Sequence, residues 1–253
     1  MKIANMLTRI NFRDIGQIPL PDGRRFKPGL LYRSAVLQRL NQEDRNTIDN
    51  LGIRTVVDLR SIQEQERKPG KLPGQNRVSL PCNIDQRTRE RLKPLLFRRN
   101  SNESIIAVMD NVYAEMVDLM MKPMAALIHL ILNPNNLPMI IHCRAGKDRT
   151  GFAAAMIQRL MGAELKPVFD DYLRSNLFMK TQIRQGQWKL RLITAGLMPK
   201  GNLQAAFEVR REFLQTAFDY IDEKYKGVEG YFLAAGISKE NIQELTTILT
   251  EPA

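Results

Sequence analysis

The sequence predicts an α/β fold in which a mostly parallel central sheet is flanked by helices. Up to Gly162, short apolar runs rich in β-branched residues alternate with stretches of helical spacing, which is the pattern of parallel strands joined by helices. Beyond Gly162 the apolar spacing is helical. Because 253 residues is an ordinary length for one α/β domain, residues 1–253 are interpreted as a single domain. It would have a helical insertion at about 86–135 and a helical C-terminal part at 163–253.

Local signals place several elements. The apolar residues 138–142 follow the turn signal of residues 133–136 and predict a short buried strand. Residues 149–161 have apolar side chains on one helical face, and Gly162 is a natural stop. A loop over residues 144–148 would join this strand to this helix.

Further elements are expected on both sides of that loop. Asn41 and Ser61 have the signals of helix N-caps, and residues 53–59 between them suit a buried parallel strand. Towards the C-terminus, the apolar spacing of residues 205–225 and the capping signal at Ser238 predict helices. The apolar residues 116–132, at the end of the insertion, are interrupted by charges and a proline, which predicts two packed helices rather than a membrane span.

The strongest chemical signal is the segment IIHCRAGKDRTG at residues 140–151. In the predicted strand–loop–helix, the backbone N–H groups of the loop and of the helix N-terminus can form a cup for a phosphate group. Arg149, in the first turn of the helix, can bind two phosphate oxygens with its planar guanidinium. The candidate phosphate-binding residues are Arg144, Ala145, Gly146, Lys147, Arg149 and Thr150.

Cys143, at the end of the strand, is the candidate nucleophile. A helix N-terminus and nearby cations favour a thiolate, which could attack a bound phosphoryl group in line and form a cysteinyl-phosphate. Thr150 could then donate a hydrogen bond to the sulfur as it leaves, and His142 is interpreted as orienting the loop. A nucleotide-binding loop is excluded because Ile141 and Asp148 stand where that motif needs glycine and Ser or Thr.

These residues resemble the signature of cysteine-dependent protein tyrosine phosphatases, in particular the bacterial and fungal branch whose loop reads HCxxGKDRTG. Four further segments are similar to elements of that branch: NFRDIG at 11–16, LYRSA at 31–35, LGIRTVVDLRS at 51–61 with Glu64, and DYLRSN at 171–176. The resemblance implies a tyrosine-phosphatase-like fold and hydrolysis of phosphate monoesters on tyrosine-phosphorylated proteins, with a broad specificity. Phosphoinositides are the alternative substrate class. A non-catalytic phosphate-binding module is the weakest interpretation, because the reactive residues of the loop are all present.

The general acid has two candidates. Asp148 is the one that the related branch implies, and its side chain could reach the leaving group over the rim of the loop. Asp85 is the rival, since its segment could pass the mouth of the site. Each also has a purely structural interpretation, because Asp148 could cap its own helix and Asp85 could be a turn residue. We favour Asp148.

Arg60 ends the predicted strand at 53–59, on the edge where α/β sheets place their ligands. The alternative is a surface arginine paired with Glu64 or Glu66. The family resemblance favours a place near the phosphate.

The net charge of +11 favours anionic partners, namely a phosphorylated protein or phosphoinositide substrate, with an anionic membrane surface as a further candidate. A basic run comprises Arg87, Arg89, Arg91, Lys93, Arg98 and Arg99. It is interpreted either as a solvated face or as a rim that recruits such substrates. Phe97 is the only aromatic residue inside the run, so stacking on bases is weakly supported and no nucleic-acid partner is expected.

Cysteine and histidine usage bounds the remaining chemistry. With two cysteines and two histidines, neither a metal site nor another cofactor is expected. Cys82 is interpreted as a buried structural thiol, with a protective disulfide to Cys143 as the alternative. The N-terminus does not resemble a signal peptide, and a reactive thiolate suits a reducing compartment, so a cytoplasmic location is expected.

Overall fold

The central sheet is mostly parallel, as the sequence predicts. The computed structural model describes residues 2–69, 76–193 and 199–253. Its strands are β1 (Arg13–Asp14), β2 (Arg24–Phe26), β3 (Leu31–Ser34), β4 (Thr55–Asp58), β5 (Asn76–Ser79), β6 (Met139–His142) and β7 (Thr250–Pro252). The main sheet has the order β1-β3-β6-β4-β5, in which β3, β6, β4 and β5 are parallel and β1 is antiparallel to β3. Strands β2 and β7 form a separate antiparallel pair.

Helices make up most of the remaining described chain. They are α1 (Lys2–Ile10), α2 (Gln42–Asn50), α3 (Ile62–Arg67), α4 (Asp85–Leu96), α5 (Asn102–Leu132), α6 (Arg149–Leu160), α7 (Leu165–Leu173), α8 (Ser175–Ile193), α9 (Lys200–Phe207), α10 (Arg211–Tyr225), α11 (Val228–Ala234) and α12 (Lys239–Leu249). No helix among the described residues is both long and apolar enough to cross a bilayer.

The inner strands β3, β4 and β6 are buried along their whole length, which explains why β4 and β6 are mostly apolar, whereas the edge strand β5 is mostly exposed. Neighbouring side chains of a strand point to opposite faces, and Ile140 and Ile141 belong to different apolar clusters. Ile140 packs in a cluster with Phe12 and Ile48, which lie beside α1 and on α2. Ile141 belongs to the larger cluster, which includes the buried faces of α5 and α6.

The register of the parallel strands brings three polar residues together at one edge of the sheet. Ser34 of β3 and Asp58 of β4 both lie opposite His142 of β6. The chain segments that follow these three strands therefore start side by side, and Cys143 is the first residue after the middle one.

The predicted helix starts are confirmed. Asn41, Ser61 and Ser238 are the N-caps of α2, α3 and α12, and each forms a reciprocal capping box with the third residue of its helix. The strand expected at 138–142 is β6, and the helix expected at 149–161 is α6.

Two predictions about the helices are wrong. Residues 102–132 form one continuous helix, α5, rather than two packed helices, even though Pro123 lies inside it. Asp118 and Lys122 are exposed on its solvent face, whereas the opposite face carries a long apolar stripe that is buried in the core. Burial of that stripe outweighs the cost of about 3 kcal/mol for an internal proline.

The second correction concerns residues 205–225, which do not form one helix. The chain leaves α9 at Glu208 and begins α10 at Arg211. The side chain of Asn176 accepts a hydrogen bond from the Val209 N–H and donates one to the Val209 carbonyl, both at 2.9 Å. Because these bonds satisfy the backbone of Val209 from outside, the helix is interrupted there without leaving buried groups unpaired.

Candidate active site

Cys143 and Arg149 stand at the two ends of a tight loop, residues 144–148, between β6 and α6. Both side chains are buried. Cys143 directly follows the last residue of β6, and Arg149 is the first residue of α6. The sequence placed the cysteine at the end of the strand and the arginine in the first helical turn, and the structure has them there.

The carbonyl groups of residues 144–146 point away from the inside of the loop. The Val36 N–H donates to the Arg144 carbonyl at 3.2 Å, and the Asn11 side-chain amide donates to the carbonyls of Ala145 and Gly146 at 3.0 and 2.9 Å. Within the described chain, the N–H groups of residues 144–148 donate to no recorded acceptor. The C=O of one residue and the N–H of the next point in opposite directions across their peptide bond, so the N–H groups of residues 145–147 face the inside of the loop. Such a ring of donors suits an anion.

Gly146 is required for this close fit. Its φ of +66° lies in the left-handed region, and a Cβ at this position would lie 2.3 Å from the backbone oxygen of Ser34. The loop therefore rests directly on the end of β3.

Two buried arginines and one aspartate lie behind the loop. The carboxylate of Asp171 accepts from Arg13 Nε at 2.6 Å and from Arg33 Nη1 at 2.7 Å. Arg33 Nη2 also donates to the Gly146 carbonyl at 2.9 Å, and Arg13 Nη1 donates to the Asn11 side-chain oxygen at 2.6 Å. Burial alone would raise the pKa of Asp171, but the two guanidinium groups override it and hold the pKa at about 2. Asp171 therefore stays ionised between the two cations.

The guanidinium of Arg149 is held in place from the side of α3. Its Nη1 donates to Glu64 Oε2 at 2.7 Å and to the carbonyls of Leu59 and Cys82, both at 3.4 Å. Burial alone would raise the pKa of Glu64, but the hydrogen bond from Arg149 lowers it overall, so Glu64 is a carboxylate. These contacts fix the plane of the guanidinium beside the loop.

Asp148 lies at the rim of the loop and is bonded by two donors. Tyr113 Oη of α5 donates to its Oδ1 at 2.8 Å, and Lys147 Nζ lies 2.9 Å from the same oxygen. The hydroxyl groups of Tyr113 and Tyr172 are 2.6 Å apart. Since the Tyr113 proton is given to the carboxylate, the Tyr172 hydroxyl is the donor to Tyr113. Asp148 occupies the N-cap position of α6, but its side chain makes no capping hydrogen bond, so the alternative that it caps its own helix is wrong.

Two other predicted residues adjoin the nucleophile. His142 is buried, its Nδ1 lies 3.2 Å from the Cys143 carbonyl, and its pKa is lowered, chiefly by burial, so the ring is neutral. The Thr150 hydroxyl is fully buried, and no hydrogen bond to the cysteine sulfur or to any other group is recorded for it. A buried hydroxyl without a partner is costly, by about 1–3 kcal/mol.

Beside the loop lies a cleft of about 590 Å³. Arg144 and Ala145 of the loop form part of its wall. The other lining residues come from several elements: Arg9, Ile10, Ala35, Val36, Gln38, Arg60, Glu64, Arg67, Lys68, Arg89, Phe178, Met179, Gln182 and Phe207.

Arg60 lines this cleft but is paired with an aspartate. Its guanidinium binds the Asp58 carboxylate, with Nη2 and Oδ2 2.6 Å apart, and its Nη1 donates to the Lys68 carbonyl at 3.0 Å. Its side chain is only 2% exposed, so the alternative of a surface arginine paired with Glu64 or Glu66 is wrong.

The remaining predicted residues are more peripheral. Asp85 is the first residue of α4, and its side chain lies outside the described part of the structure. Cys82 is a buried free cysteine whose thiol pKa is raised by burial. In the basic run, Arg89 lines the cleft, while Arg91 binds Glu115 at 2.6 Å.

Several residues that shape the site were not among the predicted functional residues. Asn11, Arg13, Arg33 and Asp171 lie within the segments that carry the resemblance, so their motifs were the signal that could have found them. Tyr113 lies on the apolar face of α5 and carries no such signal, because a buried tyrosine in a helix is usually a core residue.

Comparison with known proteins defines the class. The chain matches the tyrosine phosphatase family over residues 5–251 and belongs to that family. It is 31% identical, over 268 aligned residues, to the triple specificity protein phosphatase PtpB of Mycobacterium tuberculosis, and the alignment covers 94% of this chain and 96% of PtpB.

Two other relatives match less of the chain or less closely. A putative tyrosine-protein phosphatase, H16_A0669 of Cupriavidus necator, is 29% identical, with 87% of this chain and 79% of the relative covered. The inositol diphosphatase SIW14 of Saccharomyces cerevisiae is 43% identical over 47 residues, which are 19% of this chain and 17% of that protein. The prediction of a tyrosine phosphatase is confirmed by the family match and by the first two relatives.

Proposed function

We propose that this protein is a protein tyrosine phosphatase of broad specificity that works through a cysteinyl-phosphate, with the whole chain acting as one catalytic domain. The observation that carries the proposal is the loop of residues 144–148, whose inward N–H groups lie between a cysteine and a fixed arginine. That arrangement supports binding of a phosphate dianion with its phosphorus facing the sulfur.

In the first step, the thiolate of Cys143 attacks phosphorus in line, and the P–O bond to the leaving group breaks. The loop N–H groups and Arg149 take up the charge of the three other phosphate oxygens. Because Glu64 holds one side of the guanidinium, Arg149 is oriented before substrate binds. The leaving oxygen takes a proton from Asp148.

In the second step, water attacks the phosphorus of the cysteinyl-phosphate, Asp148 accepts the proton of that water, and the S–P bond breaks. The sulfur leaves as a thiolate, and inorganic phosphate is released. The unpaired hydroxyl of Thr150 supports a role as donor to this sulfur or to a phosphate oxygen.

The contacts of Asp148 support it as the general acid. Both donors to Asp148, Tyr113 and Lys147, bind Oδ1, and none of the described residues donates a hydrogen bond to Oδ2. Oδ2 is therefore the oxygen suited to carry the proton. Lys147, a predicted phosphate-binding residue, donates its backbone N–H to the phosphate, while its ammonium group orients Asp148.

A phosphoinositide headgroup with several phosphates would need further cationic contacts at the loop, for which Lys147 and Arg144 are the candidates. The ammonium group of Lys147 is 7% exposed and paired with Asp148, so this contact is no longer a specific reason to prefer that substrate class.

The decisive experiment compares wild type with Cys143→Ser and with Cys82→Ser as the matched cysteine control. The substrates are p-nitrophenyl phosphate, phosphotyrosine and phosphoserine peptides, and a soluble phosphoinositide. We expect hydrolysis by wild type and Cys82→Ser, loss of hydrolysis in Cys143→Ser, and a phosphate adduct on Cys143 after an acid quench. Hydrolysis by Cys143→Ser at the wild-type rate would exclude the proposed mechanism.

The acid is assigned by pH–rate profiles of Asp148→Asn and Asp85→Asn. We expect Asp148→Asn to lose rate by about 10²–10⁴-fold and to lose the alkaline limb of the profile, because a general acid contributes that much. If Asp85→Asn shows this behaviour and Asp148→Asn does not, Asp85 is the acid.

A further inference from the structure

The cleft beside the loop is wider than a phosphate group requires. Its volume is about 590 Å³, and Arg144 and Ala145 belong both to the loop and to the cleft wall. A group attached to a phosphate bound in the loop can therefore reach this cleft. Its lining determines which attached groups are favoured.

The lining has a large excess of positive charge. The cationic side chains come from α1, α3, α4, the loop and the residues that follow β4 and α3. Among the described lining residues, Glu64 is the one carboxylate. Glu64 is bound to Arg149, and Arg9 and Arg60 are bound to Asp44 and Asp58.

Three of the cations have no acidic partner recorded among the described residues. They are Arg67, Lys68 and Arg144, and all three are exposed. The backbone that carries Arg67 and Lys68 is held firmly, because the Lys68 carbonyl accepts from Arg60 Nη1 at 3.0 Å and from Gln38 Nε2 at 2.9 Å. Arg67, Lys68 and Arg144 together form the edge of the cleft that is called the rim below. Because the backbone of Arg67 and Lys68 is fixed, less conformational entropy is lost when their side chains bind a ligand.

The cleft also has an apolar part. Phe178 and Met179 of α8 pack on Ala35 and Ala145, and Phe207 of α9 lines the cleft with 40% of its surface exposed. The hydroxyl and phosphate groups of an inositol headgroup gain little from contact with these apolar side chains, whereas the apolar groups of a peptide can pack on them.

We propose that the cleft recognises acidic side chains next to the phosphorylated residue of a protein substrate, with Arg67, Lys68 and Arg144 as their partners. The proposal rests on the phosphatase function proposed above. Carboxylates on the substrate would meet guanidinium and ammonium groups, and the peptide chain would lie on the apolar part of the cleft.

The test compares two phosphotyrosine peptides of equal length. One has Asp and Glu on both sides of the phosphotyrosine, and the other has Asn and Gln there. At low salt we expect wild type to have a KM about 2- to 30-fold lower for the acidic peptide, with an unchanged kcat, because two exposed charge pairs contribute about that much. Raising the salt concentration should reduce the ratio of the two KM values.

The variant Arg67→Gln with Lys68→Gln removes two rim charges, and we expect the KM ratio to fall towards one. Arg98→Gln with Arg99→Gln is the matched control, because both residues are exposed and neither lines the cleft. Equal KM values for the two peptides in wild type, or an equal loss of the ratio in the control variant, would overturn the proposal.

Binding of the labelled peptides to Cys143→Ser, followed by fluorescence anisotropy, separates this proposal from the catalytic one. A preference for the acidic peptide in that variant supports the proposal even if no turnover is found. If a soluble inositol polyphosphate loses affinity in the rim variant while both peptides are unaffected, the cleft is a polyphosphate site and the proposal is wrong.

Discussion

Replacing Asp171 by asparagine tests the buried network behind the loop. The substitution keeps the shape of the side chain and removes the charge that Arg13 and Arg33 share. The side chains of these two arginines are 3% and 1% exposed, so water cannot take over the role of the carboxylate.

The structure gives the size of the effect in two ways. The difference between the ordinary pKa of 3.8 and the value of about 2 for Asp171 corresponds to about 2 kcal/mol, since each pKa unit is worth about 1.36 kcal/mol. Removing one partner of a buried ion pair usually costs about 3–5 kcal/mol. We therefore expect Asp171→Asn to lower the free energy of unfolding by about 2–5 kcal/mol.

The neighbouring residue provides a control with the same charge change on the same helix. Asp170 is 61% exposed and pairs with Lys166, which is 84% exposed, so Asp170→Asn should cost less than about 0.5 kcal/mol. Urea unfolding at neutral pH, followed by circular dichroism, measures both variants. A difference of less than about 1 kcal/mol between them would refute the reasoning, because an unpaired charge in the core cannot be that cheap.

The same carboxylate sets a pH dependence. Because the pKa of Asp171 is lower in the folded state, its contribution to stability is complete above about pH 4 and is lost as the pH falls towards 2. The stability of wild type should therefore fall in this window more steeply than that of Asp171→Asn. Parallel curves for the two proteins would show that Asp171 is not the titrating group.

Two further substitutions test contacts at the loop. Tyr113→Phe removes the donor to Asp148 Oδ1, so kcat should fall more for phenyl phosphate, whose phenolate is a poor leaving group, than for p-nitrophenyl phosphate. Tyr225→Phe removes an exposed hydrogen bond to Asp118 and should leave the ratio of the two kcat values unchanged. Gly146→Ala should lower kcat by about 10²-fold because its Cβ would displace the loop, whereas Gly162→Ala, with a similar positive φ but open space, should cost only about 1–2 kcal/mol of stability.

The parts of the site that lie close together in the chain could be predicted from the sequence. Cys143, the loop and Arg149 are separated by a few residues, and the order strand, loop and helix follows from local apolar spacing and capping signals. The predicted class of phosphatase followed from the same short segment. Local signals decide such features because each is determined by neighbours along the chain.

The contacts that orient these residues could not be predicted in the same way. Tyr113 meets Asp148 across 35 positions of sequence, and Glu64 meets Arg149 across 85. Neither pairing leaves a pattern in a single sequence, because it arises only when α5 and α3 are packed beside the loop. The wrong prediction of two helices at 116–132 has the same origin, since burial of one face decided the outcome and the local proline did not.

The choice of buried charges behind the loop has a physical reason. A loop that turns its N–H groups inwards must turn its carbonyl groups outwards, and apolar side chains there would leave those carbonyls unpaired at a cost of about 1–3 kcal/mol each. Asn11 donates to these carbonyls from beside β1, and Arg33 donates to one of them from β3. A buried arginine needs an anion, and Asp171 meets that need for Arg33 and Arg13 together. The charges of the network thus follow from the orientation of the loop, and that orientation is what binding of a phosphate demands.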